Sequence, residues 1–237
     1  MFPLNQKIII LTGATGNLGR VTAQVLAAQG ARLALVGRNL PKLDDVRQSL
    51  TNPGNVAIFV ADVRHPEAVT VMMNQVLTRF GRVDGLINLA GGFTMGAAVH
   101  NAPDADWDAM LDLNLRTTRN CIRAVVPHLL KAGGGRIVNI AARGAVTGAA
   151  YMAPYAVSKA AVVTLTESVA AELNAHDITV NCLLPGTLDT PDNRAAMPQQ
   201  NPAHWVALEA LAEVIAFLVS DAARAITGAA IPVYGRS

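Results

Sequence analysis

The chain has 237 residues, of which 51% are hydrophobic, 15% charged and only 4% aromatic, and its formal net charge is +2. So weak a positive balance, with no block of Lys or Arg, excludes a nucleic-acid surface as the basis of function, and no uninterrupted apolar run reaches the roughly 18 residues of a membrane span. Aliphatic wealth with few aromatics suits parallel strands buried on both faces, which read as near-continuous Val/Ile/Leu runs.

The predicted elements alternate from end to end. A strand over 7–11 ends in Thr12-Gly13, and a helical pattern follows over 18–29. Next come a strand over 32–36, a helix over 41–50 opened by Pro41, a strand over 55–61 and a helix over 66–80. A strand over 84–88 leads into a Gly-rich loop and then one long helix over 104–131. The remainder reads as a strand over 136–141, an Ala-rich helix over 153–175, a strand over 178–184, a helix over 205–219 and a last strand over 229–233. This βαβα alternation predicts an α/β chain: a single-domain, Rossmann-like, doubly wound parallel sheet with helices on both faces. Right-handed crossovers then place ligands beyond the carboxyl ends of the strands. No linker, repeat or low-complexity tract interrupts the pattern, so residues 1–237 read as one domain. Cys121 and Cys182 lie in apolar stretches without a CxxC or His spacing, which marks buried thiols rather than metal ligands. The opening residues 1–6 carry no basic n-region, so a cytoplasmic protein without a signal peptide is expected.

Gly13, Gly16 and Gly19 lie in Thr12-Gly-Ala-Thr-Gly-Asn-Leu-Gly19, between the first strand and the first helix. A dinucleotide pyrophosphate needs a tight turn, close backbone approach and free N–H groups at a helix N-terminus, and glycine meets the first two demands. This assigns Gly13, Thr15, Gly16, Asn17, Leu18 and Gly19 to cofactor binding. An acid that would hold the ribose hydroxyls of NAD(H) is missing at the end of strand two, where Gly37-Arg38 stands instead. The guanidinium of Arg38 suits a 2′-phosphate, so NADP(H) is expected in preference to NAD(H). Asp62-Val63, ending strand three, places a carboxylate near the adenine amino group.

Tyr155-Ala-Val-Ser-Lys159 puts a phenol and an ammonium four residues apart, on one face of a helix. A nearby lysine charge is expected to lower the phenol pKa and fit it for proton donation. Taken with the glycine loop, this pair resembles the short-chain dehydrogenase/reductase family, and the likeness runs over nearly the whole chain. Asn88-Leu-Ala90-Gly91 is similar to the family element after strand four, and Asp62-Val63 to its adenine contact. The resemblance implies that Tyr155, Lys159 and Asn114 are catalytic, with Asn114 supporting a proton-relay water. It also implies cofactor contacts by Asn88, Ala90, Gly91, Tyr155 and Lys159, and by Pro185, Gly186, Leu188 and Thr190 beside the nicotinamide carboxamide.

Two departures stand out. The loop carries Asn17 where the family pattern has its second glycine, and the extra glycine is Gly16. The family's catalytic serine lies thirteen residues before the tyrosine, and that position is Ala142. Both departures resemble the dihydropteridine reductase branch, as does Ala90-Gly91-Gly92-Phe93. The likeness extends through Thr187-Leu-Asp-Thr-Pro191, Asn193-Arg194, Met197-Pro198 and Trp205. It implies an NADP(H)-dependent reductase of a small conjugated substrate such as a quinonoid dihydropterin, with Tyr155 as proton donor. Such a ring accepts hydride without forming an alkoxide, so a serine donor at a carbonyl is less needed. Phe93, Tyr151 and Trp205 are expected to line a flat substrate pocket. The rival readings are a carbonyl or quinone reductase of the same family and a non-catalytic NADP(H)-binding sensor. The long helices 104–131 and 153–175 resemble the family's dimer-forming pair, so self-association as a dimer or tetramer is expected. No metal, nucleic acid or membrane partner is implied.

Overall fold

The computed structural model describes residues 2–236. Among these residues, seven parallel strands form one sheet: β1 (Ile8–Thr12), β2 (Arg32–Gly37), β3 (Val56–Val60), β4 (Gly85–Asn88), β5 (Gly135–Ile140), β6 (Ile178–Pro185) and β7 (Ala230–Val233). Their order is β3-β2-β1-β4-β5-β6-β7. The chain winds outward from β1 in one direction and returns through β4 in the other. The crevice between β1 and β4 is therefore the switch point where such sheets bind ligands.

Helices α1 (Asn17–Ala28), α2 (Leu40–Gln48), α3 (Pro66–Phe80), α4 (Asp104–Met110), α5 (Thr117–Ala132), α6 (Gly144–Thr147), α7 (Ala153–Glu172), α8 (Pro191–Ala196) and α9 (Leu208–Leu218) complete the chain. Strand side chains alternate between faces, and both faces are apolar. Ile9, Leu11, Leu33 and Leu35 pack on one side with Leu26 of α1 and Leu211 and Ile215 of α9. Ile8, Ile10, Ala34 and Val36 face the other way, onto Met72 and Val76 of α3, Val125 of α5 and Val169 of α7. No helix among the described residues is long and apolar enough to cross a membrane.

Two expectations need correction. The helix expected over 104–131 is not continuous: Leu111–Arg116 forms a wider π-helical turn between α4 and α5. Thr117 and Thr118 hydroxyls donate to carbonyls of that turn, Leu113 O at 2.7 Å and Asn114 O at 2.8 Å, and such insertions cluster at functional sites. The helix expected over 205–219 starts at Leu208. Val206 is instead extended and bridges Leu188 in parallel, closing the base of an excursion that carries the unexpected helix α8.

Candidate active site

The glycines of the first loop divide by task. Gly13 has φ +65°, and a Cβ there would lie 2.8 Å from the backbone nitrogen of Ala90, so the loop after β4 crosses it in direct contact. A Cβ on Gly19 would press into the Gly13–Ala14 backbone, 2.8 Å from Ala14 Cα, so this glycine seats α1 against the turn. Gly16 is different: its only near neighbour would be Gly13 O at 3.4 Å. It stands as N-cap of α1 with no side-chain cap, leaving the helix's first N–H groups open to an anion. The turn is secured by the Thr12 hydroxyl, which accepts from the backbone N–H groups of Leu89 and Ala90, each at 3.2 Å. The chain thus fits the pyrophosphate of a dinucleotide at this point.

A cleft of about 280 Å³ runs from this loop along the strand ends, lined among others by Gly37, Arg38, Asp62, Val63 and Gly91. Arg38 is exposed and is one of the residues lining the cleft. Asp62 is already engaged: Arg64 Nε lies 3.0 Å from both of its carboxylate oxygens. That side-chain bond holds the Asp62 carboxyl down at about 2. The loop is anchored from below by Asn120, whose buried amide donates to Val63 O at 3.1 Å and Arg64 O at 3.0 Å. Neither Arg64 nor Asn120 stood out in the sequence. Arg64 directly follows Asp62-Val63 but carries no motif of its own, whereas Asn120 lies 57 residues from Val63 and only the fold brings it to this loop.

Tyr155 and Lys159 project from the first half of α7. The Lys159 ammonium donates to Ile140 O at the end of β5, 2.9 Å away, and lies 6.0 Å from the centre of the Tyr155 ring. Gly91 makes room for this group, since a Cβ there would stand 2.7 Å from Asn114 Oδ1 and 3.4 Å from Lys159 Nζ. Burial pushes Lys159 down to about 8. It pushes Tyr155 up to about 12. The expected lowering of the phenol by Lys159 is therefore overturned in the protein alone: the ammonium bonds to a carbonyl, and desolvation of the phenolate dominates.

Asn114, at the π-helical turn, accepts from Gly92 N at 2.9 Å and donates to Gly92 O at 3.1 Å. Its amide also donates to Ser158 Oγ at 2.9 Å, and Ser158 in turn donates to Tyr155 O at 2.7 Å. The Asn114 side chain thereby ties the loop after β4 to α7. Ser158 escaped the sequence reading, although its place three residues after Tyr155 marks a helix neighbour. It is fully buried and both bonds are internal, so it does not replace the missing serine.

Ala142 lies two residues past Ile140 and is 8% exposed. Arg143 follows it; its guanidinium sits 5.1 Å from the Tyr234 ring centre. Asn88 is buried in the sheet and donates to Asn139 Oδ1 at 2.9 Å, so its side chain joins β4 to β5 instead of facing the cleft. Ala90, Thr15 and Gly16 do line the cleft. Pro185 ends β6 and Gly186, Leu188 and Thr190 follow it, none of them among the cleft's lining residues; the Thr190 hydroxyl caps α8 by accepting from Asn193 N at 3.1 Å. Of the three aromatics expected at a substrate pocket, Phe93 and Tyr151 are each 57% exposed. Phe93 meets Tyr155 edge to face, with ring centres 4.9 Å apart. Trp205 is only 6% exposed and its indole donates to Gln200 Oε1 at 3.3 Å. It props the α8 excursion and offers little surface to a ligand, contrary to expectation.

Residues 7–201 match the family model described as short chain dehydrogenase. The chain is 34% identical to cis-4-hydroxycyclohexanecarboxylate dehydrogenase of Sinomonas cyclohexanicum, over 97% of this chain and 96% of that one. It is 31% identical to the 3-oxoacyl-[acyl-carrier-protein] reductase FabG of Thermotoga maritima, with 98% of each chain covered. Its structure is similar to that of NAD+-bound xylitol dehydrogenase, with a TM-score of 0.91 and 30% identity over 98% of this chain and 99% of the other.

Proposed function

The chain belongs to the short-chain dehydrogenase family, and from that premise we propose that it is an NADP(H)-dependent reductase of a small conjugated molecule, a quinonoid dihydropterin by class. The observation that carries the reading is Ala142, a methyl group where family members that reduce carbonyls place a hydroxyl. A hydride acceptor that forms an alkoxide needs such a donor; an electron-poor conjugated ring does not. When bound, the nicotinamide dinucleotide supplies the hydride. Tyr155 supplies the proton from Oη to a ring heteroatom, so the substrate gains one hydride and one proton. A phenol held at about 12 keeps its proton at neutral pH, which suits the reductive direction. Lys159, fixed on Ile140 O, holds a positive charge below about pH 8, 6.0 Å from the Tyr155 ring centre, which favours the phenolate left once the proton is transferred.

NADP(H) follows from the strand-two terminus, where Arg38 stands and no carboxylate repels a 2′-phosphate. Self-association as a dimer or tetramer belongs to the same proposal. The relatives are named for dehydrogenation of a hydroxycyclohexanecarboxylate and reduction of a 3-oxoacyl-[acyl-carrier-protein], which favours a second reading, a carbonyl or quinone reductase with a different carbonyl donor. Purified protein should oxidise NADPH in the presence of chemically generated quinonoid dihydropterin, and Tyr155→Phe should slow it by roughly 10²-fold or more. Turnover no faster than the non-enzymatic background rejects the substrate assignment. Tight NADPH binding without turnover of pterins, quinones or ketones marks a sensor instead.

A further inference from the structure

Strand order decides which way a dinucleotide lies across this sheet. Its pyrophosphate fits the glycine loop after β1, and Arg38 and Asp62 mark the adenosine half beyond β2 and β3. The nicotinamide half must then run the other way, over the carboxyl ends of β4, β5 and β6. Segment 187–190, which follows β6, is held there by backbone bonds: Val206 N donates to Thr187 O at 2.8 Å, and Asp189 N to Val206 O at 2.9 Å. Val206 directly follows His204-Trp205, and residues after β7 hold that pair in turn. Arg236 N donates to His204 O at 2.9 Å. Gly235 has φ +65°, and a Cβ there would stand 2.9 Å from His204 O and 3.2 Å from the carbonyl carbon and oxygen of Trp205. All three are backbone atoms, so the approach requires glycine. Tyr234 packs, partly buried, against the cluster of Ala141, Val162, Cys182 and Leu184. Its ring centre lies 5.1 Å from the Arg143 guanidinium, and Arg143 N donates to Pro185 O at 2.9 Å.

We propose that Tyr234 and Gly235 are positioning residues for the nicotinamide end of the cofactor. One short segment after β7 sets the loop that leaves β5 and segment 187–190 at a fixed separation, and the nicotinamide lies between them. Neither residue lines the cleft; each acts through the backbone it holds. The inference rests on the reading of the cleft as a nicotinamide dinucleotide site, and its test separates the two ends of that ligand.

NADPH and 2′-phospho-ADP-ribose, which lacks the nicotinamide, are titrated by calorimetry against the wild-type protein and its Gly235→Ala, Tyr234→Leu and Tyr234→Phe variants. NADH and ADP-ribose form a second pair. Gly235→Ala drives a methyl against His204 O, and Tyr234→Leu removes the ring beside Arg143. Each should weaken NADPH by roughly threefold to tenfold and leave 2′-phospho-ADP-ribose within about twofold of wild type. Tyr234→Phe keeps the ring face and should bind both ligands as wild type does. Tyr234→Leu decides alone should Gly235→Ala fail to fold. Unchanged dinucleotide affinity in either folded variant overturns the proposal. Equal losses of NADPH and 2′-phospho-ADP-ribose also overturn it, because they mark a general loosening of the fold. A selective loss seen only with NADH against ADP-ribose upholds the positioning role and rejects the NADP(H) assignment. Failure of the wild type to bind either dinucleotide removes the cofactor reading and the proposal with it.

Discussion

Substitution of alanine for Gly16 and for Gly19 separates a glycine that faces ligand from one that faces protein. At Gly19 the new methyl meets backbone atoms of Ala14 at 2.8 and 2.9 Å, and backbone cannot swing aside as a side-chain tip can. Overpacking of this kind costs roughly 1–3 kcal/mol, near the upper end where the obstacle is backbone. Alanine recovers about 1 kcal/mol in helix propensity. The balance is a loss of about 2 kcal/mol, which lowers the thermal midpoint of a chain this size by roughly 4–8 °C. At Gly16 the backbone (φ −74°, ψ 168°) suits any residue, and the methyl meets only Gly13 O at 3.4 Å. A weaker N-cap, costing up to ~1 kcal/mol, is offset by ~0.4–1 kcal/mol of lost unfolded-state freedom. Its midpoint should stay within about 3 °C of wild type, while the methyl takes the anion's place and raises the NADPH dissociation constant roughly tenfold or more. Differential scanning calorimetry and NADPH fluorescence titration read the two quantities. Normal NADPH affinity in Gly16→Ala would refute the pyrophosphate placement, and an unchanged midpoint in Gly19→Ala would refute the packing argument.

Arg38→Ala should weaken NADPH by roughly tenfold or more while changing NADH little; equal losses by titration contradict the 2′-phosphate assignment. Lys159 gives a pH signature. Its folded value is about 8, below the ordinary 10.5, so between those pH values the unfolded chain binds the extra proton. Stability then rises with pH across that window by roughly 3 kcal/mol, and below about pH 8 the full cost of the buried charge is present. Denaturant titrations of Lys159→Met should lack this rise; a rise equal to wild type contradicts the burial argument. Asn114→Ala strips partners from Gly92 and Ser158 and should cost roughly 1–3 kcal/mol, measured by urea denaturation, with a fall in kcat. An effect under a few tenths would show that the loop after β4 is secured elsewhere.

Elements with one dominant signal were legible. Strands β1 and β6 are mostly apolar and buried at every position, and Pro66 marks the start of α3 while Phe80 ends it, as expected. The interruption at Leu111–Arg116 was not, because a π-helical turn leaves the helical periodicity of its flanks almost unchanged. Trp205 misled for a different reason. Tryptophan reads equally as a pocket wall or as a prop, and only its burial in the fold, with the indole donating to Gln200, decides for the prop. At the site, Tyr155 and Lys159 could be named because their four-residue spacing carries chemistry, and Asn114 because the family resemblance implies it. Their shared tie through Ser158 and Gly92 could not, since it depends on how far α7 stands from the loop after β4. The sign of the Tyr155 shift was likewise beyond the sequence: charge proximity was visible in the four-residue spacing, but burial was not.

Ala142→Ser tests the central claim most directly. Ala142 is nearly buried, and serine adds one oxygen at the position where a carbonyl would need its donor. With NADPH saturating, the variant should gain roughly 10²–10³-fold on a simple ketone such as cyclohexanone, and its rate on quinonoid dihydropterin should stay within about twofold of wild type. Fast ketone reduction by the wild-type protein, or a quinonoid rate that climbs with the ketone rate in the variant, would contradict a serine-independent reductase.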